Sequence, residues 1–355
     1  VEFVAGAFNL GNTIFPAAIT SKNGPSWNPI IEEKSQIIVP TTIHVEPGIE
    51  TIGKALKQVG SKGTLVLSPG VYFVEKPMKI NGNITIKGNQ EKGEIILKEG
   101  VNIEKELSYF LRINEGSRLQ LENLTFDGNS KTYVKYALVS PAENINEKYN
   151  LFVDNCIFKN FSNTSGGAVF KAYIGTLADT ISIKNSQIID SYRGFNLSSE
   201  KDLLGKYNAE VIIFFNTLFK KMEEYAINYT KIDINQNING GQLVVDHCIF
   251  SDVFNTEKGY ILKSKGISSV KIKNSVFENS YEIKTPLSLS GTSNTIQNCL
   301  IYDSGVLKIS DNASSLNILY QNPKWEDHKL FIPGKKSPLL KENNSFDRIG
   351  LLRGL

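Results

Sequence analysis

The segment Val270–Tyr281, VKIKNSVFENSY, carries the pattern apolar–x–apolar–x–Asn–x–x–(Phe/Ile), and this pattern recurs along the chain. It reappears in LQLENLTFDGN from Leu119, LFVDNCIFKNF from Leu151, ISIKNSQIIDS from Ile181 and VIIFFNTLFKK from Val211. LVVDHCIFSDV from Leu243 and NTIQNCLIYDS from Asn294 complete the series. The shared polar position is held by Asn123, Asn155, Asn185, Asn216, His247, Asn274 and Asn298, at steps of 32, 30, 31, 31, 27 and 24 residues. A period in this range marks a solenoid, which runs on as one domain because each repeat touches only its neighbours.

The alternation inside each repeat has period two and uses Val, Ile and Phe, so the unit is built of strands. No 3.6-residue periodicity accompanies it, and stacked leucines are absent. Asparagine suits a sharp bend between strands because it tolerates left-handed backbone. Its amide can also bond the amide one coil away, as in stacked ladders. The sequence therefore predicts an all-β chain, a parallel β-helix of three sheets wound right-handed, the hand that parallel crossovers take. The seven bend residues form a structural ladder in which His247 stands in for Asn as a hydrogen-bonded substitute.

Composition narrows the function. Thirty-nine basic against 36 acidic residues leave a net charge of +3, too balanced for a nucleic-acid partner. Cys156, Cys248 and Cys299 each follow a ladder residue. They fall in one column at separations of two and three coils, beyond disulfide reach at about 4.8 Å per coil. They are expected as buried free thiols. No CxxC or Cys/His spacing points to a metal. No apolar run is long enough to span a bilayer. The chain begins at Val1 without Met, which fits a mature or trimmed form, so a missing signal segment does not argue for the cytoplasm.

Residues 1–40 lack the repeat and read as an extension or linker from an upstream module. Residues 41–310 form the β-helix with its N-terminal cap. In that cap Ile49, Ile52, Leu56 and Val59 share one helical face and Gly60 ends the helix, which covers the open first coil. Coils then start with TLVLSPGVYF, MKINGNITIKG and GEIILKEG. Residues 311–355, with Trp325, Leu330, Phe331, Leu339 and Leu340, are expected to cover the last coil.

The opening GTLVLSPGVYFVEKPMKINGNITIKG resembles the first coils of pectin-lyase-like right-handed β-helix proteins. SRLQLENLTFDGN, LFVDNCIFKNFS and YILKSKGISSVKIKNSVFENS, with a closing NP-x-W…SPLL element, more narrowly resemble a Bacteroidetes family of exported β-helix domains. That family is catalogued as a domain of unknown function, and its members often follow a fibronectin-type-III-like module. The resemblance spans residues 41–345. It implies export to the cell surface as an outer-membrane lipoprotein, with a lipid anchor upstream of residue 1, and a link to complex glycans.

Chemistry hosted by such folds gives a test. The Asn-Thr-Asp, Asp-Asp and Gly-His-Gly motifs of the polygalacturonan hydrolases are absent, as is the acidic cluster of calcium-dependent pectate lyases. Chondroitinase B and alginate lyases are the nearest enzymes by architecture. There a Lys removes the proton α to the uronic carboxylate, and Arg and calcium stabilise the resulting anion. Their motifs do not align residue by residue here.

A polar, basic stripe remains. With Phe170, Phe195, Ile227, Leu262, Leu287 and Leu307 placed inward, the outward neighbours are Lys171, Asn196, Asn228, Lys263, Ser288 and Lys308. A parallel column reads Tyr173, Ser198, Thr230 and Lys265, with Arg193 at its edge. Coils stack at about the length of a sugar residue, so the stripe can follow an extended anionic polysaccharide, with Lys and Arg on its anions and Tyr173 on a ring face. Soluble side chains on exposed strands would look the same.

Three functions follow. The first is binding or handling of complex, anionic glycans by an exported surface protein, with no evident catalytic motif and no evident cofactor. The second is a divergent polysaccharide lyase using Lys171, Lys263 and Arg193, the only reading in which calcium enters. The third is a structural subunit meeting a surface protein partner through its loops.

Overall fold

The computed structural model describes residues 40–89, 94–100, 107–129, 134–199, 208–231, 240–253, 259–307, 313–340 and 349–352. The chain divides between Val39 and Pro40. The expected N-terminal extension lies, but for Pro40, outside the described residues, as do Lys308 and most of the loops 198–208 and 230–241.

From Thr41 onward the strands stack in parallel as a right-handed β-helix of three sheets. Each sheet buries side chains in register columns. In the first sheet, Leu65, Ile86, Leu121, Val153, Ile183, Phe214, Val245, Ile272 and Ile296 succeed one another in register. The second sheet stacks Leu97, Phe126, Phe158, Ile188, Phe219, Phe250, Phe277 and Ile301. The third stacks Leu111, Leu138, Phe170, Phe195, Ile227, Leu262 and Leu287. Ring centroids of Phe126–Phe158 and Phe250–Phe277 lie 4.8 Å apart at 10° and 1°. That distance is the coil spacing, so equivalent rings in consecutive coils stack.

α1 (Thr51–Val59) closes the N-terminal end, burying Ile52, Ala55 and Val59 and ending at Gly60, φ 72°. Ile49, expected on its buried face, precedes the helix and stays 46% exposed.

From Asn123 on, the bend between the first and second sheets takes left-handed backbone in each coil. Asn123, Asn155, Asn185, Asn216, His247, Asn274 and Asn298 all have φ between 47° and 60°. Asn317, φ 56°, adds a further rung, its Nδ2 bonding Asn298 Oδ1 at 3.0 Å. The ladder is not continuous, however. Asn155 bonds Asn123, but Asn185 reaches Asp154 Oδ1 at 2.7 Å instead of Asn155. Asn216 bonds Asn185, after which the run stops. Asn274 restarts it on Asp246 Oδ1, at 3.0 Å, and is bonded in turn by Asn298. His247 therefore keeps the bend but not the expected hydrogen-bonded rung. An imidazole carries its donor and acceptor on separate ring nitrogens and not side by side as an amide does, and the carboxylate one residue earlier takes the bond. The His247 ring is buried, with Nδ1 2.8 Å from Asp246 Oδ1 without hydrogen-bond alignment, and it lies edge-on to Phe215. Burial alone would raise the Asp246 pKa; contacts from His247, Lys273 and Asn274 outweigh it and hold the carboxyl below its usual range.

The thiols follow the same logic. Cys156, Ser186, Thr217, Cys248, Ser275 and Cys299 each stand one residue after the bend, and each points its side chain at the carbonyl two residues back. All three cysteines are free and buried, and burial pushes their thiols up to about 12.

The C-terminal segment differs from expectation. Its Ala313–Leu319 strand pairs in parallel with the preceding coil, and from Trp325 on its described residues lie along the outside of the second sheet, where Phe331, Leu339, Ile349 and Leu351 pack with Leu218, Ile249, Val276 and Leu300. Those four are one outward column in register, and it continues Thr125, Ile157 and Gln187 of earlier coils. Leu330 and Leu340, expected in a cover, point outward at 51% and 44% exposure. Polar contacts fix the segment. Trp325 Nε1 and His328 Nε2 meet the buried Glu278 carboxylate at 2.8 and 2.9 Å. Gly350 N donates to Asn274 O, and Leu352 N donates to Asn216 Oδ1 where the ladder stops.

Candidate functional face

The third sheet carries the stripe. Lys79, Arg112, Val139, Lys171, Asn196, Asn228, Lys263 and Ser288 occupy one continuous register column. The predicted residues Lys171, Asn196, Asn228 and Lys263 thus do stand in successive coils, and Lys79 and Arg112 extend the column toward the N-terminal end. Its parity is set by the inward apolar residue immediately before each member.

Exposure sorts these residues. Lys171 and Lys263 are partly exposed, and Ser288 is exposed. Asn196 and Asn228 are only 7% exposed. Asn228 accepts a short bond from Thr230 Oγ1 and is bonded by Tyr225, so it belongs to the wall of the face and not to its outer surface. The second predicted column holds in part. Ser198, Thr230 and Lys265 are in register, with Thr230 buried and Lys265 exposed. Tyr173 does not belong to it. Its strand ends at Lys171, and the chain then turns back toward the preceding coil.

A row of tyrosines flanks the cations. Tyr109 and Tyr136 pair in register, as do Arg193 and Tyr225, and the Tyr225 ring stacks on Tyr260 at 6.2 Å and 22°. The Arg112 guanidinium lies 4.6 Å from the Tyr109 ring centroid and 5.6 Å from that of Tyr173. Arg193 lies 4.9 Å from Tyr192 and 5.4 Å from Tyr225, and Lys263 Nζ lies 5.1 Å from Tyr260. Contacts of cations with ring faces keep the charge oriented without neutralising it. Burial raises the pKa of Tyr109 and Tyr225 despite the neighbouring arginines, so both stay neutral hydroxyls. Arg193 is further committed, with Nε bonded to Glu224 Oε2 at 2.5 Å.

Sequence reasoning missed Lys79, Arg112 and the tyrosine row. A signal for the row was present: SYFLRI, YALVS, YAINYT and YILKSK each place Tyr two residues before the inward residue.

The lyase candidates are not brought together as a set. Lys171 and Lys263 are three coils apart, roughly 14 Å at the usual strand spacing. Arg193 sits on the coil next to Lys171, and its Nε is taken by Glu224. Calcium wants six to eight hard oxygen ligands, with carboxylates prominent. Among the described residues no group of three His, Cys, Asp or Glu side chains converges.

No known protein family and no curated protein matches the sequence. Solved structures do. The PL6 family alginate lyase AlyGC superposes with a TM-score of 0.58 at 18% identity, over 89% of this chain and 47% of that one. An arginine-to-alanine mutant of the same enzyme gives 0.56 at 18%, over 90% and 45%. The fold is shared. This chain spans about half the length of those structures, and at that identity the likeness speaks for the fold alone.

Proposed function

We propose that this chain is an exported, cell-surface β-helix that binds anionic polysaccharide along its third sheet, without catalysis. The observation that carries the reading is the register column of Lys79, Arg112, Lys171 and Lys263 beside a tyrosine row. Coils repeat at about 4.8 Å, close to the rise of an extended sugar chain, so the cations and ring faces lie at whole-sugar spacings along such a ligand. Tyrosine supplies apolar faces for sugar rings, and Lys and Arg supply the anion contacts. Likeness in fold to an alginate lyase favours the same ligand class.

Affinity electrophoresis against alginate, pectate, chondroitin sulfate and a neutral glucan tests it. Retention by the anionic polymers alone, weakening with added salt, is expected. Replacing Lys171 and Lys263 together with Ala should lower affinity by about threefold to tenfold, the range for exposed charge contacts. Equal retention of parent and variant would remove the face from consideration.

The alternative is a polysaccharide lyase, favoured by the same fold likeness and by Lys171 and Arg193 on adjacent coils. Its chemistry would be abstraction of the proton α to the uronate carboxylate, leaving an unsaturated sugar. Absorbance near 232 nm in the same incubations decides this: a steady rise selects the lyase, and a flat trace with retention selects the binding protein.

A further inference from the structure

From the surroundings of Arg112 we infer that this residue is the carboxylate-reading subsite of the face, taking the uronate group of a sugar whose ring lies against Tyr173. The inference rests on the polysaccharide-binding reading and names its specificity-determining residue.

Arg112 differs from Arg193, the other arginine of the face. Arg193 is answered within the molecule by Glu224. Arg112 makes no hydrogen bond or ion pair with a described residue, and its Nε is buried without a partner. A partly desolvated, unanswered guanidinium is costly, and an incoming oxyanion relieves that cost. What holds Arg112 is ring contact from two sides, Tyr109 at 4.6 Å and Tyr173 at 5.6 Å.

Tyr173 reaches Arg112 by construction. It follows Lys171, which is two coils beyond Arg112 in register, with Val139 between them. Tyr173 N donates to the buried Ser140 Oγ at 2.7 Å, and the buried Thr176 hydroxyl lies 3.1 Å from that oxygen while bonding Tyr173 O at 2.7 Å. Asn144 N donates to Ile174 O, and Gly175, φ 71°, turns where a Cβ would strike Asn144. This loop carries Tyr173 back across the Val139 coil to Arg112. Lys79, exposed one coil away in the same column, adds a second cation.

The guanidinium fork matches a carboxylate through two parallel bonds. In a uronate the carboxylate is attached directly to the pyranose ring, so ring face and anion sit side by side, as Tyr173 and Arg112 do. A sulfate ester stands one oxygen further out. The subsite therefore selects carboxylate over sulfate.

The test uses the full chain with an alginate trisaccharide, its carboxyl-reduced counterpart and polymeric alginate, followed by calorimetry. At one sugar per coil a trisaccharide spans roughly 15 Å, and Lys263, five coils from Arg112, is out of its reach. Parent protein should bind the trisaccharide and not its reduced form. Arg112→Gln should weaken trisaccharide binding by about tenfold or more, as expected for lost bonds to a charged group. Arg112→Lys, which keeps charge and stem and guards against a folding artefact, should lose nearly as much because the fork is gone. Lys335→Ala, exposed on the C-terminal segment and away from the third sheet, should bind the trisaccharide like the parent. Unchanged trisaccharide binding by Arg112→Gln, or equal binding of the carboxyl-reduced sugar, overturns the subsite while leaving the face intact. No binding of any alginate by the parent overturns the face and the subsite together.

Discussion

Two outward columns of this β-helix have opposite fates. On the second sheet Leu218, Ile249, Val276 and Leu300 face outward and are covered by the chain's own C-terminal segment. On the third sheet Lys79, Arg112, Lys171 and Lys263 face outward beside tyrosines, with Lys79 exposed and the other three partly so. Apolar surface left in water is costly, so a repeating apolar column calls for a cover within the same molecule. Cations held against aromatic faces are stable in water and need no such cover. The difference separates architecture from function more sharply than the repeat itself, which both sheets share.

The comparison can be broken most forcefully at Phe331. This ring is 4% exposed in the cluster under the C-terminal segment and packs edge-on against Trp325. Phe331→Ala should cost about 3–5 kcal/mol, as for other buried aromatic truncations. Denaturant unfolding measures the loss, and alginate retention should be unchanged. Loss of retention in a folded variant would show that the two faces are not independent.

A smaller effect is expected where the covered face meets the ladder. Asn216 gives a bond to Asn185 and accepts one from Leu352 N. Asn216→Ala should destabilise by about 1–3 kcal/mol, because partners are left unpaired and the left-handed bend loses its preferred residue. A thermal melt matching the parent would remove the ladder from the account of stability.

Smaller again is the pH effect at the ladder's restart. Asp246 has a folded pKa below that of the unfolded chain, because contacts from His247, Lys273 and Asn274 outweigh burial. Its contribution is therefore present above the unfolded carboxylate pKa of about 4 and fades as pH falls through the lower folded value. It should be on the order of 1 kcal/mol or less after solvent screening. Asp246→Asn should accordingly be less stable than the parent at pH 7 and converge on it near pH 2. An undiminished gap at low pH would assign the loss to shape and not charge. The Lys171 and Lys263 double variant completes the contrast, since its melt should move by no more than about 0.5 kcal/mol.

The bends were legible because the physics is local: a left-handed position in every coil favours Asn, and Asn, Asp or His then recurs at coil length. Asn317 escaped because its coil places Ser315 where Ile296 stands in the coil before, which erases the alternation. The breaks in the ladder were not legible, since Asp154 and Asp246 compete for amide bonds only once strands stack. The stripe was half legible. Period two fixed the parity of Lys171, Asn196, Asn228 and Lys263, but not that Asn228 would be turned into hydrogen bonds with its neighbours. Tyr173 was misplaced because its position depends on Ser140, one coil away, and Arg112 was missed because no bend asparagine marks its coil. The C-terminal segment was read as a lid because apolar residues in a tail signal burial without saying against which surface.

That lateral segment has a mechanical consequence. A solenoid held only by contacts between neighbours peels from its end one coil at a time. Here one stretch of chain is bonded to Asn216, Asn274 and Glu278 and packed on Leu218 through Leu300, which ties four successive coils together from outside. Pulled from its C-terminus, the molecule must first shear this strip off lengthwise, with its bonds loaded in parallel, before any coil can unwind. The end of the solenoid should therefore yield in one abrupt step at high force, followed by smaller regular steps as the remaining coils unspool.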